Sequence, residues 1–165
     1  METAAAVLTA NELFVRNMRH LWRLDARSAV AIDAVRDDER YPIERSKSGD
    51  WTVRADPPVS PLMKRGGPVA SQPSKGGGAG AYLHSRHDPL AEAEQWAAAV
   101  DVEGAFCFVV AGFGLGYHLA ALHRRLQGDS FLICTEPDVR MISTALSSVD
   151  LSDLLSSGKF VLFLD

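Results

Sequence analysis

The second half of the chain alternates short apolar runs with segments whose apolar residues recur every three or four positions. Two of the runs, Ala105–Ala111 and Ser130–Thr135, are too short for core helices and are rich in Phe, Val, Ile and Leu, as buried strands are. Phe160–Leu164 is a third run of this kind. Because Ala105–Ala111 is apolar throughout rather than at alternate positions, it predicts a strand covered on both faces of its sheet.

Helical periodicity separates the predicted strands. Asp88-Pro89 is typical of a helix start, since Asp caps the first N–H groups and Pro fits the first turn, and this helix extends to about Val100. Gly128 is well placed to end the next helix. This order of elements, with short connections, predicts a parallel sheet with right-handed crossovers. Two further helices are predicted from apolar residues at helical spacing. The first has Leu115, Leu119, Leu122 and Leu126, and the second has Val139, Ile142, Leu146 and Val149.

The first 40 residues predict two helices. Thr9 and Glu12 form a capping box at the start of the first, where their side chains satisfy N–H groups of the opening turn. Asp25 caps a second, shorter helix. The first helix has an apolar face formed by Leu13, Phe14, Met18, Leu21 and Trp22, and the second offers Ala29, Val30 and Ile32 for burial.

The middle of the chain, residues 41–81, has a different composition. Six of the eight prolines and seven of the thirteen glycines lie between residues 41 and 80. Thr52–Ala55 predicts a short strand, whereas Ser71–Gly80 has nothing to bury and predicts a flexible linker. We therefore divide the chain into a helical segment (1–40), a Pro/Gly-rich region with short strands and a linker (41–81) and an α/β domain (82–165).

Charge and cysteine usage narrow the functional classes. The net charge is −4, which argues against a dedicated nucleic-acid binder. The charge is unevenly spread, with 13 basic and 10 acidic residues in 1–87 but 4 basic and 11 acidic in 88–165. Cys107 and Cys134 both lie in apolar runs and are interpreted as buried thiols in a reducing compartment. Glu2 is unsuited to a signal peptide, and no apolar run approaches a membrane span. We expect a cytoplasmic protein without a membrane segment.

The glycines after the first predicted strand are the main candidate for binding. Gly112, Gly114 and Gly116, with Phe113 between the first two, form a G-x-G-x-G turn at the carboxyl end of a strand, where such sheets bind ligands. Tyr117 stands where a dinucleotide fingerprint has its third glycine, which favours other nucleotide-like ligands, including S-adenosylmethionine. The alternative is that the glycines serve only to pack the helix on the strand.

Glu136 follows the second predicted strand, 24 residues after Gly112, close to the spacing of a ribose-binding carboxylate. Pro137 keeps it extended, so we expect Glu136 to project from the strand tip, with little effect on stability when it is replaced. A solvated strand-end acid is the alternative. Asp165 follows the third strand and is a further candidate for substrate contact.

A second concentration of polar groups precedes the helix that starts at Pro89. His84, Ser85 and Arg86 are candidates for phosphate contact at this helix N-terminus, and a serine turn into the helix is the alternative. His118 follows the glycines and also suits phosphate contact, against the alternative of a histidine satisfied by the protein. No metal-ligand spacing and no nucleophile–base pair are present in the sequence.

Four stretches together resemble the bacterial motility accessory factor (Maf) proteins, which share their central domain with the archaeal 6-hydroxymethylpterin diphosphokinases of MptE type. The N-terminal NMRHLWRLDARSAVAID also resembles the helical lead-in of Maf-like members, and the resemblance covers about residues 11–40 and 82–165. The four stretches are YLHSRHDPLAEAEQW, FVVAGFGLGYHLAAL, FLICTEPD and VDLSDLLSSGKF.

The resemblance implies a Rossmann-like fold. Combined with the elements predicted from the pattern, this gives a partial Rossmann-like α/β fold, in which a parallel sheet of three strands with covering helices follows a small helical segment and a Pro/Gly-rich irregular region. It implies a transferase acting on a nucleotide-activated substrate: a glycosyltransferase that modifies flagellin with a CMP-linked nonulosonic acid. Carried over by position, Gly112, Phe113, Gly114, Gly116 and Glu136 contact the nucleotide. The alternatives are an MptE-like diphosphokinase using ATP with magnesium and a pterin, a methyltransferase-like fold, and a non-enzymatic nucleotide-binding module. No covalently bound cofactor is expected.

Three strands supply at most half of the crevice of a doubly wound sheet, which usually has five or six. We therefore expect a portion of a larger transferase that binds nucleotide weakly and is inactive alone. We also expect self-association through an uncovered sheet edge.

Overall fold

The computed structural model describes residues 8–55 and 81–164. The predicted linker at Ser71–Gly80, the N-terminal residues used to exclude a signal peptide, and Asp165 lie outside these ranges. The helices are α1 (Ala10–Leu24), α2 (Ala26–Asp33), α3 (Pro89–Ala98), α4 (Tyr117–Arg125), α5 (Val139–Ser148) and α6 (Ser152–Ser156), with a 3-10 turn at Asp37–Glu39. The strands are β1 (Ile43–Arg45), β2 (Trp51–Ala55), β3 (Ala81–Tyr82), β4 (Cys107–Ala111), β5 (Phe131–Thr135) and β6 (Phe160–Phe163).

The strands form two sheets. β4, β5 and β6 are parallel and adjacent in chain order, with Val109 opposite Ile133 and Ile133 opposite Val161. β1, β2 and β3 form a small antiparallel sheet, of which the sequence predicted β2 alone. The predicted α/β class with three parallel strands and flanking helices is confirmed.

The predicted helix starts are confirmed. Thr9 and Glu12 form the capping box of α1, Asp25 caps α2, and Asp88 caps α3 with Pro89 in its first turn. α4 differs from the prediction at its end: it stops at Arg125, and Gly128 lies beyond it. The backbone is already extended at Leu126, so the chain leaves the helix before the glycine is reached.

The N-terminal helix is joined to the α/β part by a buried asparagine. Asn17, on α1, is fully buried, and its Nδ2 donates to the carbonyls of Leu146 and Val149 at 2.8 Å. Its Oδ1 accepts the Leu151 N–H at 3.0 Å. These bonds satisfy main-chain groups where the chain leaves α5 and enters α6, which would otherwise lack partners inside the core. These bonds therefore fix the position of helix α1 relative to α5 and α6.

The parallel sheet is covered on one face. Leu132 and Cys134 are buried, whereas Val109 is 69% and Phe163 53% exposed. Consecutive right-handed crossovers in one direction along a sheet place their helices on the same side, so α4, α5 and α6 cover a single face. The prediction that Ala105–Ala111 is covered on both faces is wrong, and Cys107 is exposed rather than buried.

Replacing Asn17 with Ala is expected to lower the free energy of unfolding by about 2–3 kcal/mol, because buried carbonyl and N–H groups lose their partners. Urea unfolding followed by circular dichroism measures this change. Asn11, exposed in the first turn of the same helix, provides the control: Asn11→Ala should change stability by less than about 0.5 kcal/mol. Equal effects of the two substitutions would contradict the role given to Asn17.

Candidate functional site

The glycine turn joins β4 to α4 at the carboxyl edge of the parallel sheet. Gly112, Gly114 and Gly116 have φ values of +94°, +53° and +82°, a region that side-chain-bearing residues rarely adopt. The Gly112 N–H donates to the Thr135 carbonyl at 2.8 Å, and the Gly116 N–H donates to the Phe113 carbonyl at 2.9 Å. The turn is therefore a fixed loop attached to the neighbouring strand.

The three glycines face different surroundings. A Cβ atom at Gly116 would lie 2.9 Å from both Leu151 methyl groups, and one at Gly114 would lie 3.0 Å from His84 Nε2. A Cβ atom at Gly112 would meet nothing within 4 Å. Gly114 and Gly116 thus serve the close packing that the sequence analysis gave as the alternative reading. Gly112 is the position of the turn with open space beside it.

Glu136 holds the turn from the end of β5. Its side chain is 1% exposed; Oε2 accepts the Phe113 N–H at 2.8 Å, and Oε1 accepts the Asp138 N–H at 3.0 Å. Burial raises the pKa of Glu136, although the two N–H groups act in the opposite direction. The prediction of a side chain projecting from an exposed strand tip is wrong. Glu136 continues the side of β5 that carries Leu132 and Cys134, and this side lies beneath the helices.

Two histidines hold the turn from the other side. His84 Nε2 accepts the Leu115 N–H at 3.0 Å, and His118 Nε2 lies 3.2 Å from the Gly112 carbonyl. Because an N–H must be met by a bare nitrogen and a carbonyl by an N–H, the two rings carry opposite tautomers. Burial, with a smaller effect from His118, lowers the pKa of His84 to about 3. Burial lowers the pKa of His118 to about 4.

The segment before α3 forms the serine turn that was the alternative to a phosphate site. Ser85 Oγ accepts the N–H groups of His87 and Asp88 at 3.1 and 3.2 Å, and the Ser85 N–H donates to Glu92. Arg86 is exposed and lies over the Tyr82 ring at 4.6 Å. The structure thus brings His84 and His118 to the glycine turn, while Ser85 organises the start of α3.

The small antiparallel sheet packs against the start of α4. The Tyr117 hydroxyl accepts the Trp51 N–H and donates to the Trp51 carbonyl, both at 3.1 Å. The Tyr117 ring also meets the His84 ring edge-on at 5.3 Å. Tyr117, which departs from the dinucleotide fingerprint, is therefore the contact through which α4 holds β2.

A polar cluster that the sequence analysis missed lies where α5 begins. Asp138 caps α5, its carboxylate accepts the Tyr41 hydroxyl, and Arg140 donates to both Asp138 and Tyr41 at 2.9 and 2.7 Å. Burial and the Asp138 carboxylate raise the pKa of Tyr41 to about 12. The Arg140 side chain is 51% exposed. Asp138 ends the FLICTEPD stretch, one of those that carry the resemblance. Tyr41 lies 97 residues away from it, and no local pattern in the sequence connects the two residues.

The described residues offer few groups for covalent or metal chemistry. Burial raises the pKa of the Cys134 thiol to about 12, which keeps it protonated and unreactive. In residues 8–55 and 81–164, no three His, Cys, Asp or Glu side chains are grouped so that they could hold a metal ion. Over the same ranges, no helix has the length and apolar character needed to cross a membrane.

The sequence matches no family model and no curated protein. Among solved structures, the fold is similar to that of the Maf glycosyltransferase from Magnetospirillum magneticum AMB-1, with a TM-score of 0.59 at 16% sequence identity. The similarity covers 94% of this chain and 28% of the glycosyltransferase chain. This chain therefore has a distantly Maf-like fold and spans little more than a quarter of the length of the structure it matches.

Replacing Glu136 with Ala is expected to lower the free energy of unfolding by about 2–3 kcal/mol, since it leaves the Phe113 and Asp138 N–H groups without acceptors. Chemical denaturation measures the loss. Glu103→Ala is the control, because Glu103 is exposed and its removal should cost less than about 0.5 kcal/mol. A neutral Glu136→Ala substitution would show that the carboxylate does not hold the turn.

The histidines predict a dependence of stability on pH. The pKa values of His84 and His118 are lower in the folded protein than the value of 6.5 in the unfolded chain. The unfolded state therefore binds more protons, and the free energy of unfolding falls as pH drops from about 6.5 towards 4. Each histidine contributes up to about 1.4 kcal/mol per pH unit. The raised pKa of Glu136 has the opposite sign, since the stability linked to it is lost as pH rises above the unfolded value of 4.5.

Urea unfolding between pH 6.5 and 4.5 measures this slope. His84→Gln should reduce it, whereas His87→Gln, at an exposed position of the same segment, should leave it unchanged. A slope unaffected by His84→Gln would mean that His84 is not buried as a neutral acceptor.

Proposed function

We propose that this chain supplies the nucleotide-binding region of a Maf-like glycosyltransferase whose donor is a sugar activated as its CMP derivative. The observation that carries the proposal is the fixed glycine turn at the carboxyl edge of a parallel sheet, in a fold similar to the Maf glycosyltransferase over 94% of this chain. Ligands of open α/β sheets bind at this edge. The donor class, a nonulosonic acid, and the acceptor, flagellin, follow from the resemblance of the sequence motifs.

The open side of Gly112 is the proposed point of approach for the nucleotide. A bound group can come close to the main chain there because no heavy atom beyond the adjacent residues lies within 4 Å of a Cβ position among the residues that the structure describes. Glu136 takes part as a positioning residue, since its oxygens are bonded to the Phe113 and Asp138 N–H groups. Direct contact by Glu136 with a ribose would require the ligand to replace one of these bonds.

Arg140 is the proposed partner of the phosphate. It follows β5 by five residues and stands in the first turn of α5, at the same edge of the sheet as the glycine turn. Its guanidinium is half exposed, and its five donors exceed those used on Asp138 and Tyr41. Of the acids near it, Asp138 is paired with Arg140, Glu136 is buried and Glu39 is paired with Arg36. An anion can therefore bind in this otherwise acidic half of the chain.

Binding without turnover is the expected behaviour of the chain alone. Sugar transfer to a hydroxyl acceptor requires a general base close to that hydroxyl. The two histidines at the turn are bonded to its main chain, and their lowered pKa values make them poor proton acceptors. The cytoplasm is the proposed location, since Cys107 and Cys134 are free thiols and such thiols are typical of a reducing compartment.

Titration of the full chain with CMP, followed by amide chemical shifts, tests the proposal. CMP should perturb the amides of residues 112–116 and saturate at millimolar ligand, and Arg140→Met should weaken binding about tenfold, or roughly 1.4 kcal/mol. Arg124→Met is the matched control, because Arg124 is an exposed, ion-paired arginine at the opposite end of a helix from the glycine turn. It should bind CMP as the unaltered chain does.

Parallel titrations with ATP plus magnesium and with S-adenosylhomocysteine separate the alternatives. Preferential binding of ATP would favour the diphosphokinase reading, and preferential binding of S-adenosylhomocysteine the methyltransferase reading. No shift at residues 112–116 with any of the three ligands would contradict a nucleotide site at this turn.

A further inference from the structure

The Arg140 guanidinium is bonded along one edge and open at its remaining nitrogen. Its Nε and Nη2 donate to Oδ1 and Oδ2 of Asp138 at 3.0 and 2.9 Å, which is the bidentate pairing of arginine with a carboxylate. Nη2 also donates to the Tyr41 hydroxyl at 2.7 Å. Among residues 8–55 and 81–164, no acceptor bonds to Nη1 of this half-exposed side chain. Nη1 is therefore the nitrogen that the guanidinium presents to a ligand.

We propose that Tyr41 is a positioning residue of the nucleotide site, whose hydroxyl fixes the Arg140 guanidinium so that Nη1 faces the phosphate. This inference rests on the proposed function, in which Arg140 binds that phosphate. A hydroxyl has one proton, and the Tyr41 hydroxyl donates it to Asp138. Tyr41 thus has no donor left for an anion, and it acts through Arg140 rather than by touching the ligand.

Tyr41 is placed by contacts with the helix that carries Arg140. The Tyr41 N–H donates to Thr144 Oγ1 at 2.9 Å, and the Thr144 hydroxyl donates to the Arg140 carbonyl at 2.7 Å. The preceding residue, Arg40, donates from Nε to Ser143 Oγ at 2.9 Å. Ser143 and Thr144 are both buried, so these bonds are shielded from water. The main chains of Tyr41 and Arg140 are therefore fixed relative to each other, and the Tyr41 hydroxyl meets the guanidinium from a fixed point.

A fixed guanidinium favours binding because less freedom is lost when the ligand arrives. Arginine is a long side chain with many rotamers, and ordering it on binding costs free energy. In this chain Asp138 and Tyr41 have already restricted Arg140, with the Tyr41 ring centre 5.0 Å from the guanidinium carbon. Tyr41 precedes the small antiparallel sheet. A residue outside the α/β domain thus becomes part of the nucleotide site.

Titration of the full chain and of Tyr41→Phe with CMP, followed by amide chemical shifts, tests the proposal. Phe keeps the ring beside Arg140 and removes only the hydroxyl, and we expect CMP binding to weaken about fivefold. Tyr82→Phe is the matched control, because the Tyr82 hydroxyl also donates to a carboxylate, that of Glu44, and Arg86 lies over its ring. Tyr82→Phe should bind CMP as the unaltered chain does.

The same substitution in an Arg140→Met chain separates positioning from a general effect on the fold. If Tyr41 acts only through Arg140, Tyr41→Phe should weaken CMP binding no further in this background. An equal loss in both backgrounds would overturn the proposal, because Tyr41 would then act on the fold. Unchanged binding by Tyr41→Phe would also overturn it, as would tighter binding, which would show that the hydroxyl competes with the phosphate for Nη2. If Arg140→Met alone binds CMP normally, both this inference and the phosphate role of Arg140 are wrong.

The motion of the Arg140 side chain gives a readout that needs no ligand. The heteronuclear NOE of the Arg140 Nε–H group, which reports picosecond-to-nanosecond motion, should be that of an ordered group in the unaltered chain and fall in Tyr41→Phe. The values for the main-chain amides of α5 should stay the same. An Arg140 Nε–H group that is equally ordered in both chains would contradict the role given to Tyr41.

Discussion

The need to satisfy the main-chain N–H groups of a tight, buried turn is the constraint on which the site depends. The turn between β4 and α4 has three residues with positive φ, and this geometry leaves the N–H groups of Phe113 and Leu115 without partners in a helix or sheet ladder. Glu136 and His84 supply acceptors for Phe113 and Leu115. One acceptor comes from the end of β5 and the other from the segment after β3, so the turn connects the two sheets.

The same constraint explains why charge is scarce around the turn. A carboxylate can remain buried when two N–H groups bond to it, and this arrangement fixes Glu136. A histidine acceptor must be neutral, and burial keeps His84 neutral. The polar groups that identify the site are therefore largely used by the protein itself. For the proposed nucleotide, this leaves the open side of Gly112 and the half-exposed Arg140.

The one-sided sheet is the second organising feature. Its covered face forms one core with the N-terminal helices, in which Leu21, Ile32, Leu132 and Leu146 are all fully buried. Asn17 connects these parts by bonding to the chain between α5 and α6. The other face is apolar but open, because two crossovers in the same direction place all their helices on one side.

Local chemistry in the sequence determined the three parallel strands and most of the helices of this protein. Capping residues such as Thr9, Asp25 and Asp88 act on N–H groups within one turn, and short apolar runs bounded by glycine form strands, so these features could be predicted from neighbouring residues. The position of the glycine turn at a strand end was likewise predictable. Tertiary structure alone decided the rest: that Glu136 points under the helices, that Tyr41 meets Asp138, and that Cys107 and Val109 face outward. Each depends on which side of the sheet receives the helices and on contacts between residues far apart in the chain. An apolar run has the same pattern whether one face or both are covered.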